Sequence, residues 1–426
     1  MGTVILGGGI VGVSTAYFLA RSGEAVTVVE RRPGVALETS YANAGLIAPG
    51  HSYSWASPGA PLILLKSLFS DKQPLKLRLS ADWRLYAWGL QFLQNCTTSR
   101  AQINTSNKAR LSCYSQKQLQ MVTQQEDLSY DRVSKGLLYL HRDRAALEHA
   151  VANSSLLAQS GLRFKLLNRT ETLVQEPALA ASRLLFAGSL YCATDESGDA
   201  HLFTKALYQR CMALGVKFLF ETVVEDIAAD ADRVDYVETS RGRLSADRYV
   251  VALGSYSPAL VRKLGYRLPI YPVKGYSVTF PVREHHRAPE VGGLDETNLI
   301  GWARFGSRLR FTATAEFAGF DTSHRPSSFA HTVQTARDLF PHSADYSQPS
   351  YWSGLRPMTP RGTPILGKAR HGNLFFNTGH GHLGWTWSCG TARIVVDMMI
   401  GKKPEIDVTG LTYVPAARRG FAKCGR

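Results

Sequence analysis

Thr3-Val-Ile-Leu-Gly-Gly-Gly-Ile-Val-Gly12, with Val13 to Ser22 behind it and then Ala25-Val-Thr-Val-Val-Glu30, is the stretch that decides the fold. Thr3 to Leu6 reads as a short buried strand, Gly7 to Gly12 as a turn, Val13 to Ser22 as a helix and Ala25 to Glu30 as a second strand. Gly7, Gly9 and Gly12 form GxGxxG between strand and helix, where bare backbone N–H groups at a helix start meet a pyrophosphate. The first glycine permits the tight turn, the second lets phosphate come close, and the third lets helix and strand pack. Ile10 and Val11 between the glycines, and Arg31 beside Glu30, belong to the same candidate site. Glu30 ends the second strand, where a carboxylate accepts both ribose hydroxyls of an adenosine and repels a 2'-phosphate. The motif alone does not separate FAD from NAD, and a purely structural turn is the competing reading.

At 426 residues and 44% hydrophobic, the chain has the length for two cores and the composition of an ordinary globular enzyme. The 49 basic and 34 acidic residues leave a net charge of +15, which favours acidic partners, anionic lipid surfaces or anionic cofactors without choosing among them. With no run of eighteen apolar residues and a first strand directly after Met1, the expectation is a cytoplasmic chain without a signal peptide. Cys96, Cys113, Cys192, Cys211, Cys389 and Cys424 are scattered without a CxxC pair and read as reduced thiols. His285 and His286, and His380 and His382, have no nearby residues to complete a ligand set, so no metal is expected.

Further along, Phe203, Leu207, Cys211 and Leu214 share a helical face, Val216 to Phe220 is strand-like, a hairpin is expected around Arg241 and Gly242, and Tyr249 to Leu253 reads as a buried strand ending at Gly254. Arg110 to Val122 and Ala145 to Leu157 are amphipathic helices, while Gly136 to His141 and Tyr276 to Phe280 look like half-exposed strands of a second domain. Asn373 to Asn377 is a strand candidate, Thr378 to Gly384 a glycine-rich turn, and Trp385 to Ile400 a long apolar helix.

The choice of dinucleotide is made by Glu38-Thr-Ser-Tyr-Ala-Asn-Ala-Gly-Leu-Ile-Ala-Pro-Gly50, a polar loop of small residues where an NAD enzyme carries its second helix and third strand. The loop resembles the isoalloxazine-facing loop of the D-amino acid oxidase superfamily, and is most similar to that of the small subunit of bacterial D-amino acid dehydrogenases. Asp195-Glu-Ser-Gly-Asp199, Leu253-Gly-Ser-Tyr-Ser257, Tyr271-Pro-Val-Lys-Gly-Tyr276, Gly354-Leu-Arg-Pro-Met-Thr-Pro360, Asn377-Thr-Gly-His-Gly381 and Leu383-Gly-Trp-Thr386 match in order along nearly the whole chain. The resemblance implies an α/β fold: a Rossmann-type FAD-binding domain of the glutathione-reductase-like kind, with a second α+β substrate domain on a mixed or antiparallel sheet. The division expected is 1–90, 196–262 and 353–426 for FAD, held non-covalently, and 91–195 and 263–352 for substrate.

Carried over residue by residue, Ser40, Asn43, Ala44, Gly45 and Leu46 would lie along the flavin ring, where bulk would block stacking or substrate. Gly379, Gly381, Leu383, Gly384, Trp385 and Thr386 would open a helix toward the flavin's pyrimidine edge, where negative charge grows on reduction. Val224 would touch the adenine side, and Ala252 to Gly254 the pyrophosphate side. Arg356 matches the position whose guanidinium grips the amino acid carboxylate, a task suited to its planar fork of donors. Lys274 and Tyr276 would line the same cavity, with the phenol donating to substrate or flavin, although strand packing is an equal reading. His51 and Tyr53 border the cavity or are plain loop residues. Three departures stand out: His382 where threonine is usual, Arg361 where aspartate is usual, and a strand Arg310 to Ala315 without its expected pair of glycines. Phe317 and Phe320 would narrow the substrate side further.

The function this implies is FAD-dependent oxidative deamination of a D-amino acid to a 2-oxo acid and ammonia, with hydride passing from Cα to flavin N5 and electrons going on to a quinone or other carrier. Oxidation of glycine, sarcosine or a cyclic amine such as D-proline or hydroxyproline is the nearest alternative. A flavin enzyme of tRNA wobble-uridine modification would use the +15 charge, but no basic and aromatic interleaving of an RNA-binding module appears and no nucleic-acid partner is expected. Pro61 to Leu65, then Leu68 and Phe69, with Lys66, Lys72, Lys76 and Arg78 around them, would dock on an anionic membrane face; a buried helix is the competing reading.

Overall fold

The computed structural model describes residues 2–67, 75–78 and 81–414, so Leu68, Phe69, Lys72 and Cys424 lie outside the described residues. The strands Thr3–Leu6, Val26–Val29 and Arg248–Val251 are apolar and almost entirely buried, as strands covered on both faces must be. They run parallel, with Thr3–Leu6 in the middle; Leu374–Thr378 and Lys217–Leu219 extend the sheet at either side, and Ile365–Lys368 adds an antiparallel edge. Six strands from distant parts of the chain thus form one sheet. Alternate side chains sort between two cores. Ile5, Val28 and Val250 pack with the helices Ile10–Arg21, Ala200–Ala213 and Gly384–Met399, while Val4, Val29 and Val251 pack with the antiparallel strands Val224–Ala229 and Val234–Thr239. The first helix begins at Ile10 and not at Val13. Gly9 is its N-cap and accepts from Val13 N at 3.0 Å, so the glycine turn is already helical.

A second, mixed sheet of nine strands is led by Ser350–Met358, Tyr271–Pro281 and Arg308–Phe317, and ends at Phe164–Asn168. The α/β class with a mixed second sheet is therefore as the resemblance implied. The exposure expected for its strands is not. Every residue of Leu137–His141 is buried, with Leu138 and Leu140 in one core and Leu137 and Tyr139 in another. Tyr271–Pro281 is nearly all buried too: Tyr271 and Val273 lie in one core, Tyr276, Val278 and Phe280 in another, and Gly275 and Tyr276 border a large cavity.

The boundaries also differ in three places. Leu75–Leu77 pairs with Arg308–Phe317, and Ser350–Met358 pairs along its length with Tyr271–Pro281, so both belong to the second sheet. Thr98–Gln125, expected only from Arg110 and on the substrate side, is one 28-residue helix that packs against Gly384–Met399. In its middle, hydrogen bonds to that helix accompany the close packing. Ser112 Oγ accepts from Trp387 Nε1 at 2.7 Å, Ser115 Oγ accepts from Gly390 N at 2.8 Å, and a Cβ on Gly390 would stand 2.5 Å from that of Ser115. Small residues let the two helices cross closely.

Candidate active site

The parallel strands end at a cavity of about 580 Å³ that continues across the face of the second sheet. At one end is Glu30, whose Oε2 accepts from Gly8 N at 2.7 Å and Oε1 from Arg32 N at 2.8 Å. These bonds fix the carboxylate at the strand end, although burial raises its pKa. Gly7, at φ +111, passes so close to Ala252 that a Cβ would lie 2.6 Å from its carbonyl oxygen. A Cβ on Gly12 would lie 1.9 Å from Gly7 O, whereas one on Gly9 would meet only Ser40 Oγ, at 3.6 Å. The turn is therefore sterically closed at Gly7 and Gly12 and open at Gly9, beside the start of the helix. An extended, doubly charged dinucleotide fits that arrangement: a carboxylate for ribose, an open helix N-terminus for pyrophosphate, and a channel leading onward.

Of the site residues singled out in the sequence, all but Gly12, Gly45, Gly379, Thr386, Lys274 and Tyr53 line this cavity. Four of these six shape its walls from behind. Gly12 permits the helix packing just described, and Gly45, at φ +69, lies where a Cβ would strike Phe305 at 2.2 Å. Thr386 Oγ1 accepts from Ala48 N at 3.2 Å and so ties the long C-terminal helix to the loop 40–48. Gly379 turns the chain at φ +75 with Thr359 2.9 Å from where its Cβ would stand. The same loop is held from the other side, where Leu46–Ile47 pairs with Glu196–Ser197, and Asp195 accepts from Gly50 N at 3.0 Å. This explains Asp195 to Asp199: it clamps the loop and caps the following helix, with Asp199 accepting from His201 N at 2.9 Å.

Lys274 and Tyr53 point elsewhere. The Lys274 ammonium donates to Ser323 O and sits 3.6 Å from Asp321, away from the cavity, and Tyr53 lines a separate cavity. Tyr276 does line the first, but its hydroxyl donates to the buried Glu316 and is not the donor to a ligand that the sequence suggested. Arg361 is exposed and away from the site. Phe317 also leaves the substrate side alone, because it is buried with Trp88 and Tyr271. Phe320 packs beside Tyr256.

Arg356 comes from the middle of Ser350–Met358, and its guanidinium lies across Gly275 on the neighbouring strand: a Cβ there would be 2.5 Å from Cζ. Glycine is the only residue that leaves the space. Burial pushes the guanidinium pKa down to about 10, which leaves it charged at neutral pH. Around it stand aromatic groups that sequence reasoning missed, Trp55 and Trp352. Trp55 stacks on His382 with centroids 4.8 Å apart and planes at 20°. His382 Nε2 is buried without a hydrogen-bond partner, and desolvation, then the nearby Lys108, His51 and Arg356, hold its pKa well below the usual histidine value. It is thus a neutral aromatic wall. The far end of the cavity accordingly sets the Arg356 guanidinium among apolar and aromatic surfaces, which suits a small carboxylate carrying an apolar group.

Residues 3–398 match the family described as DAO, FAD dependent oxidoreductase. The chain is 45% identical over 419 residues to a D-amino acid dehydrogenase of Bradyrhizobium diazoefficiens, covering 98% of this chain and 100% of that one. It is 46% identical over 407 residues to a D-amino acid dehydrogenase of Methylobacterium radiotolerans, covering 95% and 97%. Among solved structures, glycine oxidase from Geobacillus kaustophilus superposes with a TM-score of 0.74 at 22% identity, over 97% of this chain and 98% of that one. L-proline dehydrogenase from P. horikoshii gives 0.73 at 16% identity, over 96% and 95%, a likeness of fold.

Proposed function

The chain belongs to the DAO family of FAD-dependent oxidoreductases, and from that premise we propose that it oxidises D-amino acids to 2-oxo acids and ammonia. The observation that carries this reading is the charged guanidinium of Arg356, laid flat over Gly275 at the end of a dinucleotide-shaped cavity. Glu30 and the Gly7 to Gly12 turn would hold the nucleotide half of FAD, and the clamped loop 40–48 with the start of Gly384–Met399 its ring, without a covalent bond. Bound FAD supplies the acceptor for two electrons and the Cα hydrogen.

The residues of the chain do the rest by placement. Arg356 takes both carboxylate oxygens in parallel charge-assisted bonds, which fixes Cα as well as affinity. Trp55, His382 and Trp352 exclude water around the side chain and carry no charge, so they favour apolar substituents over charged ones. Loss of the Cα hydrogen and the amine lone pair's donation leave an imine, and water hydrolyses it to 2-oxo acid and ammonia. No side chain is required as a general base.

For the electron acceptor we propose a quinone or similar carrier reached at a membrane surface. Helix Ala60–Ser67 exposes Leu62, Ile63 and Leu65, so it is not the buried helix that was the competing reading. Beside it in sequence, Trp83–Gln94 buries Leu85, Trp88 and Phe92 and exposes Trp83, Tyr86, Leu90 and Leu93 along its other face. Exposed aromatic and aliphatic groups next to Lys66, Lys76, Arg78 and Arg84 have the make-up of a peripheral contact with anionic lipid. No helix among the described residues is long and apolar enough to cross a membrane.

The reaction is tested by supplying D- and L-amino acids with an artificial electron acceptor under nitrogen. Ammonia released one for one with acceptor reduced, from D- and not from L-enantiomers, is the expected result; turnover of glycine or sarcosine alone would replace the reading.

A further inference from the structure

A second cavity of about 290 Å³ lies against the substrate end of the first and has no part in the reaction just described. Tyr139 lines both cavities, and His51 of the first meets Glu296 of the second, with Nε2 and Oε1 3.2 Å apart. His51 also stacks on Tyr139, with centroids 5.6 Å apart and planes at 17°. Side chains of Tyr139, His51 and Glu296 thus stand where the two spaces adjoin.

Glu296 sits on the turn between Gly292–Asp295 and Ile300–Phe305. The base of that turn is pinned, because the buried Asp295 accepts from Arg142, from Thr297 N at 3.2 Å and from Asn298 Nδ2 at 2.8 Å. Its other end is strained: Leu299 is exposed and held at φ +50, a conformation unfavourable for a leucine, while it lines the first cavity. Glu296 and Leu299 therefore close the two cavities from one short element with a fixed root.

The second cavity also has the chemistry of a binding site. His141 is 8% exposed, and its Nε2 is buried with no hydrogen-bond partner. The neighbouring lining is apolar, with Ala150 and Leu190, and the outer rim is made by the exposed His149 and Asn153. Burial holds the His141 pKa below its usual value, so this neutral imidazole offers a hydrogen bond and not a charge to a carboxylate, while Glu296 offers an acceptor to an ammonium, both within a small, mostly apolar space.

We propose that this cavity is an outer site for a free amino acid, its carboxylate toward His141 and its ammonium toward Glu296, and that displacement of the 296–299 turn passes the molecule inward to Arg356. The identity of the ligand rests on the D-amino acid reading; the passage itself does not.

The test uses the FAD-loaded full chain and the visible spectrum of its flavin, perturbed by benzoate, a carboxylate that has no ammonium and is not oxidised. Filling the outer cavity by Ala150→Trp slows both entry and exit of benzoate by about tenfold or more while leaving its equilibrium constant and the limiting rate of flavin bleaching by D-alanine unchanged. Glu296→Gln lowers kcat/KM for D-alanine but leaves benzoate entry as it was. Should Ala150→Trp not fold, His141→Leu and Ala150→Leu make the same comparison. Unchanged entry and exit rates in these cavity variants, or a Glu296→Gln effect equal for D-alanine and benzoate, overturn the proposal. Wild-type flavin that takes up benzoate but is bleached by no D-amino acid would remove the catalytic reading and leave the passage to be judged on benzoate alone.

Discussion

Arg356 shows how a single side chain is specified by what its neighbour lacks. Its position in Gly-Leu-Arg-Pro was legible from resemblance, but the reason for Gly275 was not, since the two lie on adjacent strands and only register brings them together. Arg356→Lys keeps the charge and loses the parallel fork, so kcat/KM for a D-amino acid should fall about 100-fold with FAD content intact. Gly275→Ala should raise KM by about tenfold, because the new methyl displaces the guanidinium; steady-state kinetics at matched flavin content checks both. His380 carries a different prediction. Its Nε2 lies 2.9 Å from Thr391 Oγ1 in the interior, and burial pushes its pKa from 6.5 down to about 3. The unfolded chain therefore binds a proton below about pH 6.5 that the folded chain refuses, and stability drops on acidification by up to about 1.4 kcal/mol per pH unit from this group. His380→Asn should lose less Tm than the parent between about pH 7 and about pH 5 in calorimetry; equal losses would show that His380 is not the source. Of the two readings left open for Lys274 and Tyr276, ligand contact and strand packing, the polar partners of both side chains favour the second, and one reason kept the choice open in the sequence. Sequence places a residue on a strand, but the acceptors Ser323 and Glu316 that take up its polar atoms come from elsewhere in the chain.

At the level of elements, the βαβ start and the helix Gly384–Met399 were legible because glycine spacing and a long, largely apolar stretch are local signals. The first turns of Thr98–Gln125 were not, since its buried positions include Asn104, Thr105, Asn107 and Lys108, which periodicity assigns to solvent. Their partners are loop atoms: Thr105 Oγ1 accepts from Ser54 N at 3.0 Å, and the Lys108 ammonium donates to Tyr53 O. This helix supports the Trp55 segment from beneath, so its crossing with Gly384–Met399 matters to the site. Gly390→Leu would force the crossing apart and should cost about 1–3 kcal/mol, seen as a lower Tm with FAD loosened in parallel.

For the molecule as a whole, two sheets built from interleaved segments meet along one cavity, and neither sheet alone makes both its nucleotide end and its guanidinium end. The order of motifs along the chain announced that interleaving; the assignment of Leu75–Leu77, Ser350–Met358 and Thr98–Gln125 depended on pairing and packing across long separations, which local pattern does not carry. The exposed faces of Ala60–Ser67 and Trp83–Gln94 also have meaning only at this scale. Flotation with vesicles should recover the protein on anionic and not on neutral lipid, and raising salt or making Leu62→Ser together with Leu90→Ser should release it. Equal recovery on both lipids would argue against a charge-assisted contact.

The account turns on a flavin that lies within reach of an amino acid held by Arg356, and the anaerobic visible spectrum reads this directly. The purified protein should be yellow, lose its absorbance on addition of an apolar D-amino acid, and keep it with the L-enantiomer or when Arg356→Met replaces the parent. A protein that takes up no flavin, or whose flavin bleaches equally with and without Arg356, would contradict it.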